Sequence, residues 1–219
     1  MKRILFIASV LLCGLTACQD APKADDADVA EANKVGMAAG TSYQVNTAES
    51  TIEWIGTKPT GKHHGTIKIT NGELMVDGDN ITGGRFVMAV NTIQPDDQDE
   101  KGNTKLRGHL LSEDFFEAET HPEATFEITN VSAGTPAPNE SMVMKDASHT
   151  ITGNLTIKGV TKAITFPARV QMNESSVVAD ASFNIDRTEW NLNYGSDKSL
   201  GDKFIYPEVN LQIHLVANQ

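Results

Sequence analysis

The chain has 219 residues, 39% hydrophobic and 21% charged, enough for one sizeable domain with its own core and too apolar for a wholly disordered chain. Its 18 basic residues against 29 acidic ones leave a formal charge of −11, so the phosphate-neutralising surface that nucleic-acid binding requires is missing. The continuous apolar run, Ile4 to Leu15, is shorter than the ~20 residues of a membrane-crossing helix.

The first residues read as an export signal: Lys2 and Arg3, then an apolar run of secretory length, then small residues. The stretch Leu15-Thr16-Ala17-Cys18 resembles a bacterial lipobox, in which the cysteine thiol receives a diacylglyceryl group and the chain is cut ahead of it. Residues 1–17 are therefore expected to be removed and Cys18 to be lipidated; an ordinary signal cut with an incidental thiol is the alternative. Loss of Lys2 and Arg3 takes the charge to −13, and loss of Cys13 leaves Cys18 as the single cysteine. No intrachain disulfide, thiol nucleophile or cysteine zinc site can then be built. Gln19 rather than Asp directly after the cysteine favours the outer over the inner membrane.

Residues 18–41 carry Ala, Asp, Glu, Lys and Gly with almost no large apolar side chain. Such a stretch cannot offset its ordering entropy, and it is expected to be a flexible acidic tether, with at most an undocked helix over Ala27 to Lys34. Residues 42–219 are expected to form the folded domain.

From Tyr43 onward apolar residues alternate with polar ones, the period of half-buried strands. Ile52 and Trp54 alternate with Thr51 and Glu53, Ile67 and Ile69 with Thr66 and Lys68. A turn is expected at Asn71-Gly72 before Leu74 and Val76. Asp77 to Asn80 turns the chain into a strand over Gly84 to Ile93 with Phe86, Met88 and Val90 on one face. Strands follow around Phe126 and Ile128, Ile151 to Ile157, Ile164 to Val170 with Phe166, Ala181 to Ile185 with Phe183, and Val209 to Leu215. Consecutive strands on short turns favour an antiparallel barrel or sandwich over a parallel sheet with helical crossovers.

The connection from Pro95 to Pro122 is too long to be structureless in a compact domain. A short helix is expected there, capped by Ser112 and running through Ala118, with its acidic residues near the positive end. Leu106, Leu110, Phe115 and Phe116 then need apolar cover, and one end of the barrel, as a lid, provides it. Ser132 to Pro138 reads as a surface turn.

Catalytic and metal readings find little support. His63 and His64 are adjacent, so their side chains diverge, and His109, His121, His149 and His214 are scattered. No Gly-x-Ser-x-Gly turn occurs, and capping accounts for Ser112 beside Glu113 and Asp114 better than a triad with His109 does. The acidic run Asp96, Asp97, Asp99, Glu100 lacks the spacing of an EF-hand calcium loop. No metal site and no enzymatic activity are expected.

Several segments together resemble the YceI family: Leu106 to Phe116, His121 to Phe126 and Gly153 to Lys162, with Tyr43-Gln44-Val45, Ser50 to Trp54 and Phe183 to Trp190. The resemblance implies an all-β fold, a lipocalin-like extended antiparallel barrel of eight strands around an apolar tunnel. It also implies non-catalytic binding of a polyisoprenoid, an isoprenoid quinone or another long-chain amphiphile, in a cell-envelope protein of the periplasm, with a homodimer as one option. Arg107-Gly108 ahead of His109 departs from the acidic residue common there, and the lipobox belongs to this chain rather than to the family at large. Expected ligand contacts are Trp54, Ile67, Ile69, Phe86, Met88, Val90, Phe126, Ile128, Phe166 and Phe183. Alternation alone leaves open whether these line a bore or pack a solid core, in which case the domain would be an envelope protein-interaction module.

Overall fold

The computed structural model describes residues 22–134 and 143–219. The export signal, Cys18 and the Thr135 to Pro138 part of the expected surface turn lie outside the described residues. The strands in chain order are β1 (Asp25–Asp26), β2 (Asp28–Glu31), β3 (Thr41–Val45), β4 (Thr51–Lys58), β5 (Gly61–Ile67), β6 (Ile69–Asp77) and β7 (Asn80–Ala89). They continue as β8 (Gln94–Pro95), β9 (Glu123–Ala133), β10 (His149–Ile157), β11 (Val160–Met172), β12 (Ser176–Asp186) and β13 (Glu208–Asn218), with one α-helix among the described residues, α1 (Glu100–Leu111).

These strands close into an antiparallel barrel of eight staves. Strands β3 and β4 form one interrupted stave along β13, and β5 and β6 form the next. Then come β7, β9, β10, β11 and β12, and β12 pairs with β13 over its whole length to complete the ring. Closure removes the outer edges that an open sheet would present to other chains, although β11 and β12 pair with each other only from Arg169 opposite Asp180 to Met172 opposite Val177.

Local chemistry accounts for the joints. Between β3 and β4 the Asn46 side chain accepts the N–H groups of Ala48 and Glu49. The buried Ser50 hydroxyl then takes over the ladder, accepting from Val216 N–H and donating to Val216 C=O. The turn between β10 and β11 places Lys158 and Gly159 both at positive φ, 48° and 73°, the two-residue turn whose twist suits a hairpin. The chain reverses at Gly78 (φ 59°), not at Asn71-Gly72. Those two residues lie inside β6 at a bulge, where a side chain at Gly72 would strike Phe86 and Val45 at 2.9 Å.

Alternation of strand direction puts the connections β4–β5, β7–β9, β10–β11 and β12–β13 at one end of the barrel. The helix stands there, but it begins thirteen residues earlier than expected, at Glu100 rather than Glu113. Asp99 is its N-cap and accepts from Gly102 N–H at 2.7 Å; Ser112 ends it, donating its hydroxyl to the His109 carbonyl. Residues 113–118 form turns rather than helix, with Glu117 at φ 49°. An Asp followed by Glu100 met the capping requirement before Ser112 could.

The expected tether also differs. Residues 25–31 are extended and paired, not helical or free. Strand β1 runs parallel to β12, Asp25 opposite Phe183, and β2 runs antiparallel to β11, Glu31 opposite Lys162. Backbone pairing, together with Ala27 and Val29 packed on the barrel core, supplies the contacts that composition did not advertise.

Candidate functional site

The barrel is hollow. A cavity of about 540 Å³ runs inside it, within the ~300–1,000 Å³ typical of small-molecule sites. Trp54, Ile67, Ile69, Phe86, Met88, Phe126, Ile128, Phe166 and Phe183 all line it. Val90 does not. The chain leaves the strand at Ala89 and enters a 3-10 turn in which Val90 N–H bonds the Pro122 carbonyl, so the inward alternation stops one residue short.

The wall owes its shape to a row of rings. Phe86 and Phe126 stand 6.3 Å apart, Phe126 and Phe166 5.8 Å, and Phe166 and Phe183 stack at 4.1 Å with 15° between planes. These rings come from β7, β9, β11 and β12. The intervening β10 contributes Gly153, and a Cβ there would lie 2.4 Å from the Phe126 ring, so the glycine makes room for Phe126 to lie across its neighbour. Small side chains, Ala124, Ala168, Ala179 and Ala181, leave the bore open elsewhere.

Polar lining is confined to the helix end: Thr57, Lys58, His63, His109, Arg187, Tyr194, Asp202 and Lys203. The remainder is apolar but for the Trp54 indole, whose N–H is taken by the Thr66 carbonyl at 3.3 Å. Such a vessel solvates a hydrocarbon chain along its length and can distinguish head groups only at its mouth.

Two connections roof that mouth. From α1 and the turns behind it come Leu106, Leu110, Phe115 and Phe116, the four expected lid residues, and all four border the cavity. The second half, residues 187–207, was not foreseen. It contributes Leu192, Tyr194 and Ile205, and the halves meet where His109 sits edge-on to Tyr194 at 4.5 Å and to Phe115 at 5.2 Å. The available signal was the same one used for residues 95–122: a long β12–β13 connection holding Trp190, Leu192, Tyr194, Phe204 and Tyr206 needs apolar cover.

Arg187 fastens this second half. It is 4% exposed, and its guanidinium donates to the main-chain carbonyls of Leu192, Ile205 and Tyr206. Burial pushes its pKa down and the nearby Asp186 partly restores it. Its planar face also lies 5.8 Å from the Phe115 ring centroid. Trp190, wholly buried, donates its indole N–H to Leu155 C=O at 2.9 Å and anchors the start of the same connection.

His63, His64 and His109 take structural partners. His63 and His64 project to opposite sides of β5, His63 to Asp97 at 2.8 Å and His64 to Asp96 at 2.6 Å, binding the strand to the segment ahead of α1. Burial raises the Asp97 carboxyl, but hydrogen bonds from His63 and the His64 N–H, with the His63 charge, outweigh it and hold the pKa below the ordinary value. His109 Nε2 meets Asp114 at 3.2 Å while Ser112 points to a backbone carbonyl, so the serine is not aligned with a base. Among the described residues no three His, Cys, Asp or Glu side chains gather as metal ligands.

Comparison with known proteins agrees with this architecture. Protein YceI of Escherichia coli O6:H1 is 32% identical over 108 residues, 49% of this chain and 48% of that protein. A UPF0312 protein of Pseudomonas aeruginosa is 30% identical over 107 residues with the same shares. The chain thus spans about half the length of the curated relatives it matches. Among solved structures, BcnA of Burkholderia cenocepacia superposes with a TM-score of 0.59 at 24% identity, over 79% of this chain and 99% of that one. A polyisoprenoid binding domain from Saccharophagus degradans gives 0.58 at 14% identity, over 80% and 97%. The family model described as the YceI-like domain matches residues 43–217, from the first barrel stave to the last. The chain therefore belongs to the YceI-like domain family.

Proposed function

We propose that the protein binds a polyisoprenoid or other long-chain amphiphile inside the barrel, for sequestration or transport in the cell envelope, without catalysis. The observation that carries this reading is the continuous apolar cavity of about 540 Å³ with its polar groups gathered at one end. The ligand named for the Saccharophagus degradans domain, which shares the fold, supports an isoprenoid tail. The energetics are sufficient. At ~25 cal/mol per Å², roughly 500 Å² of buried ligand surface supplies the 8.2 kcal/mol of micromolar binding and about 4 kcal/mol of lost freedom besides.

The same reading has the mature chain held on a membrane through acyl groups on Cys18, facing the periplasm, with the outer membrane favoured by Gln19. An isoprenoid quinone fits the chemistry as well as a prenyl phosphate does. The decisive experiment is native mass spectrometry and organic extraction of protein made in its own compartment. A long-chain lipid in stoichiometric amount is expected. Protein that emerges empty and takes up no prenylated probe would instead favour an interaction module.

A further inference from the structure

The barrel wall is incomplete between β11 and β12. These neighbours pair only from Arg169 opposite Asp180 to Met172 opposite Val177. Towards the mouth they part, and each turns its free edge to the amino-terminal segment: Phe183 and Asn184 to Asp25 and Asp26, and Lys162 to Thr165 to Glu31 to Asp28. Ala27 N–H bonds the Asn184 carbonyl at 2.9 Å and continues the insertion. Residues 25–31 thus occupy the gap as an extra, partial stave.

What stands behind this stave is the cavity. Ile164, opposite Val29, and Phe183, opposite Asp25, both line it, as does Ile185. The stave is held largely by polar contacts at its surface: Asp25 accepts the N–H groups of Val143 and Met144 at 2.9 Å each, and Asp26 accepts from Asn184 Nδ2 at 3.1 Å. Its apolar contribution is Ala27 and Val29, most of β2 is exposed, and its ion pair, Lys162 to Glu31 at 2.7 Å, has the glutamate 91% exposed. Beyond it, Asn33 and Asn154 exchange a pair of hydrogen bonds at 2.8 and 2.9 Å, a fixed point from which the segment can swing. The family model begins at residue 43, so this piece of wall is an addition to the shared barrel. A segment with little buried apolar surface and exposed backbone bonds has low local stability.

We propose that residues 25–31 form a detachable stave, and that the ligand's tail enters and leaves sideways through the β11–β12 seam it uncovers, while the roofed end holds the head group. The route rests on the binding reading above; the detachment does not. Both can be read in one protein. In the full chain with Cys13→Ser and Cys18→Ser, Asp28→Cys and Thr165→Cys face each other across the ladder on the outer surface, at a separation that suits a disulfide.

Release of bound dansylated farnesol into excess unlabelled farnesol is then timed with the disulfide closed and reduced. Closure is expected to slow release about tenfold or more, and Val29→Asp without the cysteines to accelerate it by a similar factor. Equal rates in the closed and reduced forms would overturn the lateral route. Independently of any ligand, hydrogen exchange at the alternate amides of 28–31 and 162–165 that face each other across the β2–β11 ladder, and not at those of β11 that face β10, is expected to proceed together through an opening well short of global unfolding. Exchange there only at the rate of the β9–β10 ladder would overturn the detachable stave. If no probe binds any form while those amides open early, the stave stands and the binding reading falls.

Discussion

Replacing Ala181 with leucine tests the hollow interior by the sign of the effect. Ala181 lies on β12 opposite Ile213, is 8% exposed and borders the cavity. Leucine adds three carbons. Placed in open apolar space they contribute up to about 2.4 kcal/mol at ~0.8 kcal/mol each, reduced by about 0.5–1 kcal/mol of side-chain entropy, for a net gain near 1.5 kcal/mol. In a filled interior the same change would cost about 1–3 kcal/mol through overpacking. Ala217, fully buried but not bordering the cavity, is the internal control, and Ala217→Leu should be destabilising in the ordinary way. Urea unfolding of solvent-extracted protein measures both. Dansylated farnesol titration supplies the second reading, because three carbons taken from the ligand's space weaken binding by up to roughly fiftyfold. Destabilisation of Ala181→Leu by 1 kcal/mol or more, with probe affinity unchanged, would refute the hollow-barrel argument.

Other expectations follow from the same contacts. Phe126→Asp sets an unpaired carboxylate among the ring row; stability should fall by about 3 kcal/mol or more, with loss of probe uptake, by thermal melting and titration. Arg187→Met keeps bulk but leaves the Leu192, Ile205 and Tyr206 carbonyls without their donor; a loss of about 2–4 kcal/mol and faster hydrogen exchange across 191–207 are expected, and wild-type protection there would contradict the clamp. The depressed Asp97 pKa gives stability that is complete above the ordinary carboxylate value and lost as pH falls through the folded-state value. Asp97→Asn should therefore flatten the acid limb of the stability curve; an unchanged limb would show that His63 and Asp97 contribute nothing to it. Finally, Cys18→Ser should move the folded, ligand-competent protein out of the membrane fraction, and retention there in high salt would rule out lipidation as the anchor.

The barrel was legible because its face is written in period two: Trp54, Phe86, Met88, Phe126, Phe166 and Phe183 alternate with polar residues and all turn inward. The same rule failed at Val90, where a main-chain bond to Pro122 bends the strand away, since a period carries no information about where a strand stops. It failed at Asn71-Gly72 because that dipeptide serves both a hairpin and a bulge, and only the packing against Phe86 decides between them. The helix boundary turned on two competing caps, Asp99 and Ser112, both adequate locally. Residues 25–31 were opaque for a different reason. Their order comes from unpaired backbone edges on β11 and β12, a tertiary circumstance that no side-chain pattern in an acidic stretch reports.

The ring is completed by its two ends in the chain: β13 must meet β3 and β4 on one side and β12 on the other. A nascent polypeptide that has yet to deliver residue 208 holds a curled sheet with one greasy side and nowhere to hide it. Assembly consequently waits for the last dozen residues and belongs to the slow, long-range class of β folding, on milliseconds to seconds. Loss of that terminal segment by proteolysis or a premature stop would therefore forfeit the whole domain rather than trim it.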